Sequence, residues 1–62
     1  MQIVVSEDSQ FTTYIHITGT GDEYRQMLQE ISKLEKKGFR QVGDLILDLD
    51  IQERTVFLEK KK

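Results

Sequence analysis

Sixty-two residues make one domain, and a chain of that length buries only about 60% of the surface its unfolded form exposes. Without cysteine no disulfide can brace the fold, and metal ligation would fall to one histidine and scattered carboxylates. A net charge of −2 lacks the basic excess that duplex binding demands.

In chain order, residues 2–6 open with the apolar run Ile3-Val4-Val5, and Glu7-Asp8-Ser9-Gln10 reads as a polar turn. Residues 11–18 are rich in β-branched and aromatic types, so the first third reads as a hairpin. A helix is expected over about residues 20–37. Thr20 and Glu23 have the spacing of a capping box, and Asp22 and Glu23 put negative charge at the positive end of the helix dipole. Lys33, Lys36 and Lys37 complement the other end, and Gly38 is placed to take the left-handed conformation that stops a helix. Between these signals Tyr24, Met27, Leu28, Ile31 and Leu34 recur at three- and four-residue steps, an apolar stripe suited to covering a sheet.

After Gly38, residues 39–49 read as one strand, ending in the alternation Leu45, Leu47, Leu49. Asp50 to Arg54 form a polar connection, and residues 55–60 make the last strand. The expected architecture is therefore a single α+β domain over residues 1–62, ordered β-β-α-β-β, with one helix on a four-stranded sheet. Three layouts satisfy it. The first and last strands could lie side by side, parallel and central, a likeness of layout to the β-grasp arrangement that right-handed crossover would favour. A simple antiparallel sheet, or pairing across a dimer, would serve equally.

Strand residues alternate between faces. One face should collect Ile3, Val5, Phe11, Ile15, Ile17, Leu45, Leu47, Val56 and Leu58 beneath the helix. The other collects Val4, Tyr14, His16, Ile46 and Phe57, with Thr12, Asp44 and Asp48. A single helix covers one face, so the second set is the candidate interaction surface, because a contiguous apolar patch usually marks a contact site.

No motif carries catalysis or cofactor binding. Asp48, Asp50, Gln52 and Glu59 fall at four positions of a calcium-loop register, but Glu53 stands where the loop needs glycine, and the flanks alternate like strands. Gly19 and Gly21 precede the helix as in a phosphate-binding turn. However, Tyr24 replaces the third glycine, and Asp22 and Glu23 would repel a phosphate. Catalysis by His16 would need a partner serine or carboxylate within hydrogen-bond reach, and a mid-strand histidine beside Tyr14 reads instead as a surface or interface side chain. Catalytic, cofactor and metal sites are thus all expected to be absent.

Basic residues cluster only at Lys36, Lys37 and Arg40 and at Lys60, Lys61 and Lys62; the first reads as dipole compensation and the second as a solubilising tail. No segment is apolar enough to span a membrane or serve as a signal peptide, and a cysteine-free chain fits the reducing cytoplasm. A core this small rarely supplies more than about 3–5 kcal/mol, so self-association is a natural brace. The expectation is a small non-enzymatic interaction module, a homo-oligomer or the binder of another protein, acting through the open sheet face. The alternative is a single-stranded nucleic-acid binder that stacks bases on Tyr14, His16 and Phe57 of the same face, which the net acidity disfavours.

Overall fold

The computed structural model describes residues 1–62 and shows one helix packed on an antiparallel sheet of five strands. The strands are β1 (Gln2–Asp8), β2 (Thr12–Thr20), β3 (Arg40–Gln41), β4 (Ile46–Asp48) and β5 (Glu53–Lys61), and the helix α1 (Tyr24–Lys36) lies between β2 and β3. The spatial order is β1-β2-β5-β3, with β4 beside β3 on the same edge of β5.

Three expectations about strand layout are corrected. The β-grasp layout does not occur, because β5 pairs antiparallel with β2 along Thr12↔Lys61 to Thr20↔Glu53, and β1 lies on the far side of β2. The strand expected over 39–49 is broken in two: Gly43 takes φ +70°, and the chain leaves the β5 edge between the two short pairings. That break makes five strands of the expected four. The first hairpin also turns differently. Ser9 closes a tight turn onto Thr12, with its N–H 2.9 Å and its hydroxyl 3.0 Å from the Thr12 carbonyl oxygen. Phe11 is left at the tip, 72% exposed rather than in the core.

The helix ends follow their local signals. A single 3₁₀ turn, Gly21–Glu23, leads into α1, and a Glu23 carboxylate oxygen accepts from the Thr20 N–H at 3.0 Å. At the other end Gly38 N–H donates to Glu35 O and Phe39 N–H to Leu34 O, both 3.0 Å, which is the Schellman closure. Gly38 has φ +100°, where a Cβ is strained, so Gly38→Ala is expected to lose roughly 1 kcal/mol. A urea melt checks this, and an unmoved midpoint would contradict it.

The core is six side chains: Ile15 and Ile17 of β2, Val56 and Leu58 of β5, and Met27 and Ile31 of α1. Leu34, Phe39 and Leu45 pack around them, partly buried. Of the residues expected beneath the helix, Ile3, Val5 and Leu47 are exposed, as are Tyr24 and Leu28 of the helix stripe. The reason is width. A helix with its side chains is about 10 Å across, and strands lie about 4.8 Å apart. One helix therefore roofs two strands. Here those are β2 and β5, and the inward residues of the outer strands stay in contact with water.

Candidate functional site: the open sheet face

The face opposite the helix is built by register. Val4 pairs with His16 and His16 with Phe57, so these three form one row across β1, β2 and β5. The Val42 N–H donates to the Phe57 carbonyl at 2.8 Å, and alternation from Arg40 turns the Val42 side chain to this face, extending the row across the sheet. The His16 and Phe57 rings pack at a tilt, with centroids 5.9 Å apart and planes inclined by 54°.

The neighbouring rows are more polar. On one side lie Gln2, Thr18, Thr55 and Ile46, with the two threonine hydroxyls 3.2 Å apart. On the other lie Glu7, Tyr14, Glu59 and Arg40, where the Arg40 guanidinium donates to a Glu59 carboxylate oxygen at 3.3 Å. Glu7 reaches this row because Ser6 forms a bulge, its hydroxyl donating to the Tyr14 carbonyl at 3.2 Å. The outermost rows hold Asp48 and Glu53 at one end and Thr12 and Lys61 at the other.

All five residues expected on this face, Val4, Tyr14, His16, Ile46 and Phe57, thus share one side of the sheet. Phe57 is 38% and Ile46 55% exposed; Val4, Tyr14 and His16 are half-buried by their neighbours. Val42, 40% exposed, belongs with them. The same even-numbered alternation that selects Ile46 could have found it. Asp44, expected here, lies instead in the irregular stretch between β3 and β4.

Other chemistry lies elsewhere or is not assembled. The carboxyl group of Glu23, at the start of the helix, is held down to about 2 by the Met1 amine and the Thr20 N–H. Asp8 is lowered by the Lys62 ammonium and the Thr13 hydroxyl. Both lie off the open face. Asp48 accepts from the Asp50 N–H at 3.0 Å within the β4–β5 turn, while Glu59 sits far along β5 beside Arg40. The would-be calcium register is therefore spread between a turn and a strand. No three histidine, cysteine or acidic residues come together as a metal site. No helix is long and apolar enough to cross a membrane.

Compared with protein-family models, with curated proteins and with solved structures, the chain matches none.

Proposed function

We propose that this protein is a non-enzymatic interaction module that self-associates through its open sheet face. The observation that carries the reading is the row Val4–His16–Phe57–Val42, which runs across the sheet with no element over it. On the helix side α1 already packs over β2 and β5, so that face has its cover within the chain, with Ile3, Val5 and Leu47 left exposed at its flanks. Size supports the reading too. Only 7 of 62 residues are buried, so a second copy would complete a core that one chain leaves thin. His16 has Val4 and Phe57 as row neighbours, a setting that suits packing better than proton transfer. The cysteine-free composition suits the reducing cytoplasm as the place of action.

Single-stranded nucleic acid is the weaker occupant. Tyr14, His16 and Phe57 could stack bases, but Glu7, Asp48, Glu53 and Glu59 share their face, and Arg40 is already paired with Glu59. Those carboxylates would repel a phosphate backbone.

Sedimentation at micromolar and millimolar concentration tests the reading. The wild type is expected to gain mass as concentration rises, and Phe57→Asp to remain a monomer with a lower melting temperature at high concentration. A wild type that stays monomeric at millimolar concentration overturns self-association. A dimer indifferent to Phe57→Asp moves the interface off this face. Oligonucleotide binding that weakens steeply with added salt would favour the nucleic-acid reading instead.

A further inference from the structure

The open face is electrically lopsided along its strands. At one end Asp48 and Glu53 stand opposite each other on adjacent strands, a like-charge pairing that destabilises a sheet when nothing answers it. At the other end Gly38, Arg40, Glu59 and Lys61 surround a shallow depression of about 260 Å³ with no apolar residue in its wall. Arg40 and Glu59 pair with each other there, which leaves Lys61 as the hollow's uncompensated cation.

Phe57 lies midway between the two ends, four residues from Glu53 and four from Lys61, or about 14 Å each way along an extended strand. A two-fold axis passing just above Phe57 on the open side, parallel to the sheet and across the strands, exchanges these ends. It places Phe57 on Phe57 of the second copy, Thr55 near Glu59, and Glu53 against Lys61. We infer that two copies pack face to face in this antiparallel sense, the Asp48–Glu53 end of each seated at the Gly38–Arg40–Glu59–Lys61 hollow of the other. This inference rests on the open face being the self-association surface, and it adds the partner's orientation.

Charge decides between the two aligned ways of stacking the faces. An axis along the strands would set Glu53 against Glu53, compounding the repulsion already present between Asp48 and Glu53. The antiparallel axis gives each acidic pair a cationic neighbour, and does so twice per dimer. The area is adequate. Nine residues of β5 and four strand widths define a face about 30 Å by 19 Å, on the order of 600 Å² before side-chain relief is counted. That is close to the roughly 800 Å² that each partner gives to a stable interface.

The test is a charge exchange read by sedimentation equilibrium. Lys61→Glu alone and Glu53→Lys alone should each raise the dimer dissociation constant about tenfold or more, because each sets like charges together twice. The double exchange Lys61→Glu with Glu53→Lys should return the constant to within about threefold of wild type, the non-additivity that marks a direct pair. Circular dichroism on each variant confirms that the fold persists. If Phe57→Asp abolishes the dimer but the exchanges leave the constant unmoved, or weaken it additively without rescue, the antiparallel arrangement is wrong and the face assignment stands. If the wild type is a monomer at millimolar concentration, both fail.

Discussion

Ile31→Ala is expected to cost about 2–5 kcal/mol, on the scale of the entire stability of a domain this small. Ile31 is 8% exposed and is one of only two helix side chains in a six-residue core. Its loss leaves Met27 as the one fully buried contact from α1 to the sheet. The partly buried neighbours Leu34, Phe39 and Leu45 are tied to backbone that the Schellman closure and the β5 edge hold in place, so they cannot readily collapse into the space. The cavity cost therefore adds to the lost burial. Urea denaturation should show a variant with little or no folded baseline. A cooperative melt near the wild-type midpoint would mean that the helix does not rest on this residue.

Gly19→Val should destabilise by about 1–3 kcal/mol, the range for overpacking a filled core. Gly19 is buried near the end of β2, directly beneath the helix. A Cβ built there would lie 2.8 Å from the Met27 sulfur and 3.2 Å from its Cγ, so the flexible end of Met27, which is completely buried, must shift within a packed core. Replacing a strand glycine removes a backbone-entropy cost of roughly 0.5–1 kcal/mol. For valine the steric term should win, because its two branches add to a contact already too short for the first carbon. The measured quantity is again the denaturation midpoint. A rise in stability would show that α1 shifts outward at little cost.

How legible each feature was follows the range of the interaction behind it. The helix ends are decided by contacts within four or five residues, Thr20 with Glu23 and Gly38 with Glu35, and both signals appear in the chain as written. The two faces are decided by alternation, which is equally local, and the five residues assigned to the open face do lie on it. The strand order depends on which edge of β2 receives β5, a pairing between residues about forty positions apart that no nearby spacing reports. The break at Gly43 reads from sequence only as a glycine within an apparent strand. The largest misreading concerned cover. Ile3, Val5 and Leu47 have the correct parity for the helix side, but parity says nothing about whether a helix two strands wide extends that far. Within the candidate site, Val42 has the same parity as Ile46 in the expected strand and was legible from alternation alone, whereas Asp44, of that parity too, lies in the break.

The place of β5 bears on how the molecule comes into being. β3 and β4 pair with no strand but β5, and β2 has β5 along the whole of one edge. Until residues 53–61 arrive, the chain can hold a two-stranded hairpin and a helix whose apolar stripe faces half a floor. A lone hairpin is marginal in water, and so is an isolated thirteen-residue helix. Assembly must therefore wait for a closure spanning most of the chain, the kind of non-local step that slows folding. When that strand docks it joins all five strands and fills the floor beneath Met27 and Ile31 in one event. Few partly built states can survive on either side of it, so the fold should form and dissolve as a single unit.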